Sequence, residues 1–412
     1  MKPTQIQTIE PAHGITEVPG FLAGTASCDV RQNGDYERKD LTVIISKSPC
    51  SAAGVFTLND VKAAPVTLCQ SLLKKTDAIH GIVVNSGNAN AVTGEQGDAD
   101  AREMAARTQA IFKIPAHSIF VASTGRIGRP LPMNAIRSGI DAASKAANAS
   151  SENGLASAEA ILTSDTRTKT AAYSFTSSEG QTITLAGIAK GAGMIEPNMA
   201  TMLAFIGTDA KIPQTLLQST LHQSVKNSFN RISVDGDMST NDTVLVLANG
   251  DSGAVIDSED NPDFATFLEA LKKVCFDLAY KIVSDGEKIT KVVTLQIKGA
   301  PTAEAAQKVA RAVGNSLLVK SSWYGSDPNW GRVIDAAGYA QIGIDINKVD
   351  LAYDDIPALT HGTPIIENEG KWKQIVAQKE FTISLNLNLG NQETQLLSTD
   401  LTEAYVNFNR SE

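Results

Sequence analysis

Lys190-Gly-Ala-Gly-Met-Ile-Glu-Pro-Asn-Met-Ala-Thr-Met-Leu203 runs on into the apolar stretch Ala-Phe-Ile206 near the middle of the chain. Its glycines and proline read as a loop, and Met202–Ile206 reads as the start of a buried strand. The preceding segment, Gln181-Thr-Ile-Thr-Leu-Ala-Gly-Ile188, is also strand-like. The spacing therefore predicts a strand pair, Gln181–Ile188 and Thr201–Ile206, flanking a glycine loop. A small residue, Ala200, precedes a hydroxyl, Thr201, at the loop's end. That hydroxyl can attack its own preceding peptide bond or a bound acyl group. A threonine with a freed α-amine carries nucleophile and general base in one residue. A phosphate loop does not fit, because Lys190 comes before the glycines and no Ser or Thr follows it in the required place. Thr201 can also be read simply as a good strand former.

Outward from this loop, strands and helices alternate. Leu41–Ser46, Gly81–Val84, Ser118–Ala122, Asp242–Ala248 and Lys291–Ile297 read as strands. Asp98–Phe112, Met133–Ala147, Thr215–Asn227, Phe264–Val283 and Glu304–Val313 carry apolar residues at helical spacing. Pro130 and Pro132 mark a turn before the second of these helices. Ser150–Gly154 reads as a polar break, with a short helix ending at Glu159–Leu162. Ala340–Ile346 and Glu380–Leu389 read as antiparallel strands joined by a long loop. The expectation is an α/β protein with mixed sheets. No solenoid repeat or low-complexity tract occurs.

At 412 residues the chain is too long for one ordinary core, so two domains are expected. A hydrophobic content of 42% with 20% charged residues reads as soluble and globular. The net charge of −9 argues against nucleic acid or an anionic membrane as the main partner. Cys28, Cys50, Cys69 and Cys275 have no metal-like spacing, so reduced thiols and no disulfides are expected. The five histidines are scattered and give weak support to a metal site or a Ser-His-Asp triad. No apolar run approaches the length of a membrane span. Met1-Lys-Pro-Thr-Gln-Ile-Gln lacks the hydrophobic or Arg-rich character of a targeting segment, which makes the cytoplasm the expected location.

Several further segments are distinctive: Phe56-Thr-Leu-Asn-Asp-Val-Lys-Ala-Ala-Pro-Val66, Val84-Asn-Ser-Gly-Asn-Ala-Asn-Ala91 and Ser123-Thr-Gly-Arg-Ile-Gly128. So are Asn230-Arg-Ile-Ser-Val-Asp-Gly-Asp-Met-Ser-Thr-Asn-Asp242, Ser284-Asp-Gly-Glu287 and Gly325-Ser-Asp-Pro-Asn-Trp-Gly-Arg332. With Lys190–Leu203, and in this order, they resemble the ornithine acetyltransferase family, also called bifunctional glutamate N-acetyltransferase. The resemblance covers nearly the whole chain. It implies a two-domain α/β fold with mixed sheets stacked between helical layers. It also implies self-cleavage between Ala200 and Thr201 into fragments 1–200 and 201–412, and assembly as a dimer of cleaved pairs, a heterotetramer. The implied reaction moves acetyl from N2-acetylornithine to glutamate through acetyl-Thr201, in arginine biosynthesis. The competing expectation is a self-processing N-terminal-threonine amidohydrolase or aminopeptidase, which would pass the acyl group to water.

Acyl transfer needs a nucleophile, a base and donors for the tetrahedral oxyanion. Thr201 and its α-amine supply the first two. The turn Ser123-Thr-Gly-Arg-Ile-Gly128 follows a strand, so the Thr124 hydroxyl and Gly125 N–H can converge on one oxygen. The family places its oxyanion hole at the matching pair. Lys190 can hold a substrate carboxylate and Glu287 a substrate ammonium. The resemblance adds a threonine in Thr163-Ser-Asp-Thr166, best matched by Thr163, and an asparagine best matched by Asn409. Family chains usually end on a Ser or Thr a few residues past that asparagine. Here Arg410-Ser411-Glu412 follows it, and Ser411 is the candidate substitute for that substrate contact, although it is out of register. Lys288-Ile289 also replaces a Gly-Ala common in the family after Glu287. No metal and no bound cofactor are expected, and acetyl-CoA is a possible second acetyl donor.

Overall fold

Strand Leu41–Phe56 joins the two halves of one sheet. Its opening, Leu-Thr-Val-Ile-Ile, is rich in β-branched residues and pairs antiparallel with Phe21–Ala26 on one side and Ile79–Asn88 on the other. Its far end, Ser51–Phe56, pairs with Thr243–Ala248. The sequence predicts a strand over Leu41–Ser46. The structure continues the strand through a register shift between Ile45 and Cys50. A bulge of this kind is where a proline, here Pro49, can sit in a strand without costing a ladder bond.

The computed structural model describes residues 5–196 and 202–410. It forms two compact units. The first holds the described residues of Met1–Gly191, Asn198–Asn230 and Met238–Ile282; the second holds those of Ala192–Pro197, Arg231–Asp237 and Val283–Glu412. The architecture is mixed α/β with two mixed sheets. Among the described residues no helix is long and apolar enough to cross a membrane.

In the first unit the sheet runs Gln7–Thr8, Lys169–Thr176, Thr182–Lys190, Leu203–Thr208, Thr243–Ala248, Leu41–Phe56, Ile79–Asn88, Ile119–Arg126. The expected strand pair around the glycine loop is present. Thr182–Lys190 pairs antiparallel with Leu203–Thr208, with Lys190 opposite Leu203. Leu203–Thr208 pairs in parallel with Thr243–Ala248, and every residue of both strands is buried. Strands covered on both faces read as unbroken apolar runs, as these do. Sequence on both sides of position 200 thus shares one sheet. Ala200 and Thr201 themselves lie outside the described residues.

Helices Ala64–Lys75, Gly94–Phe112, Met133–Ala146 and Gln214–Lys226 pack on this sheet or on one another. Ser150–Gly154 is not a break. Ser150 caps helix Ser151–Ala160 by accepting from Asn153 N–H at 3.2 Å. Serine is a strong N-cap for the same reason that it looks like a loop residue: its short hydroxyl bonds local backbone. Gly154 is tolerated in this helix because a Cβ there would lie 2.2 Å from the His13 carbonyl oxygen.

In the second unit Glu380–Asn386 pairs in parallel with Val292–Ala300, which pairs antiparallel with Gln392–Thr399. Asp350–Tyr353 adds antiparallel to Glu380–Asn386. The strand expected at Ala340–Ile346 is absent. Gln341 and Gly343 have φ of 55° and 79°, a left-handed conformation that breaks extended backbone, and the apolar alternation there packs against the core from a turn. The expected long loop instead holds a hairpin, Asp350–Tyr353 with Ile356–Thr360, and helix Glu369–Val376. Helix Ala303–Gly314 lies against Val292–Ala300 and Gln392–Thr399. Trp323 and Phe381 meet edge-to-face in the core, with centroids 6.5 Å apart.

Phe205 is fully buried in the cluster that contains Phe21, Ile44 and Leu245. Phe205→Ala should destabilise the protein by about 3–5 kcal/mol. Urea unfolding checks this, and a loss under about 1 kcal/mol would show that the centre of this sheet carries little of the stability.

Candidate active site

Strands Ile79–Asn88 and Ile119–Arg126 run in parallel and end side by side, with Gly125 opposite Gly87. Gly125 has φ of 133°, and a Cβ there would sit 2.3 Å from the Gly87 carbonyl carbon. Only glycine permits both that backbone and that approach. The turn therefore presents Gly125 at the surface, while Thr124 beside it is only 4% exposed.

A lattice of buried amides holds this turn. The Ser123 hydroxyl donates to Asn85 Oδ1 at 2.6 Å, and Asn85 Nδ2 donates to the Asn88 carbonyl at 2.8 Å. Asn241 Nδ2 donates to the Ser123 carbonyl at 2.8 Å and to the Ala89 carbonyl at 2.6 Å. Thr240 donates to Asn241 Oδ1 at 2.6 Å, and Asn90 N–H donates to Asn88 Oδ1 at 2.8 Å. The asparagines of Asn85-Ser-Gly-Asn-Ala-Asn90 are thus backbone staples. Buried amides fully paired in this way fix one conformation.

Lys190 ends its strand buried, at 2% exposure. Its ammonium donates to Thr163 Oγ1 at 2.7 Å and to Thr124 Oγ1 at 3.3 Å. Three residues far apart in sequence, Thr124, Thr163 and Lys190, are brought together here. Of the two candidate threonines, Thr163 is the one half-buried against Lys190, and Thr166 is exposed. The Lys190 bond engages a lone pair of Thr124 Oγ1, which leaves that hydroxyl's hydrogen to donate elsewhere.

Asp165 organises this group, although its type and position in the sequence do not single it out. Its side chain is fully buried. It accepts from Gly191 N–H at 2.6 Å, Thr163 N–H at 3.0 Å and Lys169 Nζ at 2.6 Å, and lies 3.9 Å from Lys190 Nζ. Burial alone would raise its pKa, but Lys190, Lys169 and its hydrogen bonds outweigh this and hold the carboxyl well below the usual range. Burial pushes Lys190 down, Asp165 pulls it back up, and Lys169 lowers it again. When both lysines are protonated, this cluster of two ammoniums and one carboxylate carries one excess positive charge. The only sequence hint was the Asp-to-Lys spacing of four in Asp165-Thr-Arg-Thr-Lys169.

The second unit gathers Glu287 and Asn409. Glu287 is 7% exposed, and its Oε2 accepts from Asn409 Nδ2 at 3.1 Å. Its N–H donates to the Ala192 carbonyl at 2.9 Å. A Cβ on Gly193 would come within 3.0 Å of the Glu287 carboxylate, so this glycine allows the close approach. Lys288 takes φ of 55°, a conformation that suits the glycine the family commonly has there. Its ammonium lies 4.7 Å from the Phe408 ring centroid, a cation–π contact that helps offset the strain. The loop thus keeps its turn despite the replacement. Ser411 lies outside the described residues, as do Ala200 and Thr201.

The sequence pattern of the ArgJ family matches residues 22–411. The chain belongs to the ArgJ family. It is 44% identical over 400 residues to the arginine biosynthesis bifunctional protein ArgJ of Symbiobacterium thermophilum, spanning 97% of this chain and 98% of that one. It is also 44% identical over 395 residues to the protein of the same name from Thermotoga neapolitana, spanning 95% and 98%. A crystal structure of arginine biosynthesis bifunctional protein ArgJ from Bacillus halodurans aligns with a TM-score of 0.45 at 40% identity, over 48% of this chain and 100% of that one. The family expected from the spread of motifs is therefore the family found.

Asp165→Asn keeps acceptor and size but removes the charge that balances Lys169 and Lys190. Breaking such a buried pair should cost about 3–5 kcal/mol at neutral pH. Because the folded pKa lies below the ordinary value of 3.8, the wild-type advantage is complete above that value and shrinks as pH falls further. Urea unfolding of both proteins from pH 7 downward checks this. An advantage that grows with acidity would reverse the assigned charge state.

Proposed function

We propose that this protein is an acetyltransferase of arginine biosynthesis that moves acetyl from N2-acetylornithine to glutamate. The observation that carries the proposal is the match to the ArgJ family over residues 22–411, with relatives named as bifunctional proteins of arginine biosynthesis. The grouping of Thr124, Thr163 and Lys190 supports it.

The chain first cuts itself between Ala200 and Thr201. The freed α-amine, whose ordinary pKa is about 7.7–8.0, then serves as base for the Thr201 hydroxyl. Thr201 attacks the acetyl carbonyl of N2-acetylornithine, and the oxyanion is met by Thr124 O–H and Gly125 N–H. One such donor is typically worth about 10²–10³ in kcat. The bond from Lys190 to Thr124 supports this role, since it leaves the Thr124 hydrogen available. Ornithine departs, glutamate enters, and the acetyl group passes to its amine. The excess positive charge around Lys190 suits the substrate α-carboxylate. Glu287 suits the ornithine ammonium, with Asn409 steadying it. Thr163 and Ser411 complete the substrate contacts. No bound cofactor is required, the cleaved pairs associate as dimers, and the enzyme works in the cytoplasm.

Mass spectrometry of protein mixed with N2-acetylornithine should find acetyl on a fragment beginning at Thr201. Thr201→Ala should remain one chain on a denaturing gel and take no acetyl. Full-rate hydrolysis of N2-acetylornithine without glutamate would instead identify an amidohydrolase.

Glu287→Gln keeps shape and loses charge. It should cost about 2–5 kcal/mol in kcat/KM for the cationic donor, and much less for an uncharged analogue. Equal losses for both donors would leave Glu287 as a turn residue.

A further inference from the structure

Asp242 stands at the head of strand Thr243–Ala248 in the first unit and is fully buried. Its Oδ1 accepts from Met202 N–H at 3.1 Å. The next amide, Thr243 N–H, donates to the Met202 carbonyl at 3.1 Å. Residues 242 and 243 thus grip both peptide groups of Met202. The other carboxyl oxygen, Oδ2, is buried and has no hydrogen-bond partner among the described residues. Met202 N is separated from the Thr201 nitrogen only by the Cα and carbonyl carbon of Thr201. The carboxyl is therefore anchored to the residue that directly follows Thr201 in the chain.

A buried carboxyl with an open oxygen resists ionisation. Burial pushes Asp242 well above the usual carboxylate range. It prevails over the Met202 N–H and the charge of Lys190, both of which favour the anion. Since Oδ1 already accepts a hydrogen bond, the proton belongs on Oδ2.

We infer that Asp242 is the proton donor to the departing Thr201 nitrogen during self-cleavage, an inference that rests on the proposed cut between Ala200 and Thr201. Thr201 Oγ adds to the Ala200 carbonyl carbon and loses its proton. The C–N bond breaks, its electron pair goes to the Thr201 nitrogen, and that nitrogen takes the proton from Asp242 Oδ2. The proton lost by Oγ returns to Asp242, so the shift from amide to ester is neutral overall. Water then hydrolyses the ester, which leaves the Ala200 carboxylate and restores the Thr201 hydroxyl.

Cell-free synthesis of the full chain, followed on denaturing gels, tests this. Asp242→Asn keeps an oxygen to accept from Met202 N–H but carries no acid. Its cutting should slow by about 100-fold or more. Thermal melting matched to uncut Thr201→Ala shows whether it folds. Cutting at the wild-type rate would overturn the inference, and so would rescue of the folded variant by hydroxylamine, since that cleaves an ester already formed. If the variant does not fold, the wild-type cutting rate decides. It should descend with rising pH as Asp242 ionises, and a rate that climbs at every pH at which the chain stays folded overturns the inference. A wild-type chain that stays whole, or whose second fragment does not begin at Thr201, would instead defeat the proposed cut itself.

Discussion

The Asp165 carboxylate is the interaction on which the site in the first unit depends. It ties Lys169, the backbone of Thr163 and the first amide of the glycine loop, Gly191, to one point. Without it, two buried ammoniums would lose the carboxylate that balances their charge. Desolvation of such charges costs far more than a surface pair returns, so a shared carboxylate is what lets Lys190 stay buried beside Thr124. The end of strand Thr182–Lys190 and the start of the loop are thereby held in one place.

Thr124 is held from the other side by amides. Asn241 binds the carbonyls of Ser123 and Ala89, and Asn85 binds Ser123 and Asn88. These contacts link strand ends that the sequence separates widely. Gly125 removes the Cβ that would keep its strand end away from Gly87 and Asn88. The turn is thus rigid for two reasons, saturated hydrogen bonding and close backbone contact, and a rigid donor needs little reorganisation when charge develops on a substrate oxygen. Asp242 belongs to the same segment as Asn241, so one short run both braces the turn and grips Met202.

In the second unit, Glu287 is shaped by its neighbours in a comparable way. Gly193 yields space to the carboxylate, Asn409 bonds it, and Tyr405 supplies a carbonyl for the same Asn409 side chain. Tyr405 also donates to Asp235, which in turn accepts from the N–H groups of Met194 and Ile195. Residues from the glycine loop, from the middle of the chain and from its last helix, Glu403–Phe408, therefore support one another within that unit.

By itself the sequence determined the α/β class, the strand pair around the glycine loop, most of the long helices and the family. Those properties follow from local periodicity, from turn chemistry and from motifs that can be read one at a time. It also pointed to Thr124, Gly125, Thr163, Lys190, Glu287 and Asn409 individually. Local reading failed where a residue's preference is ambiguous. Ser150 caps a helix though it looks like a loop, and Ala340–Ile346 alternates like a strand but bends at Gln341 and Gly343. What only the tertiary structure decided is which of these residues meet. The roles of Asp165, Asn241 and Asp242 are not legible in the sequence, because a carboxylate or an amide gains its role from the charges and orphan backbone groups that folding brings to it, and those come from segments far away along the chain.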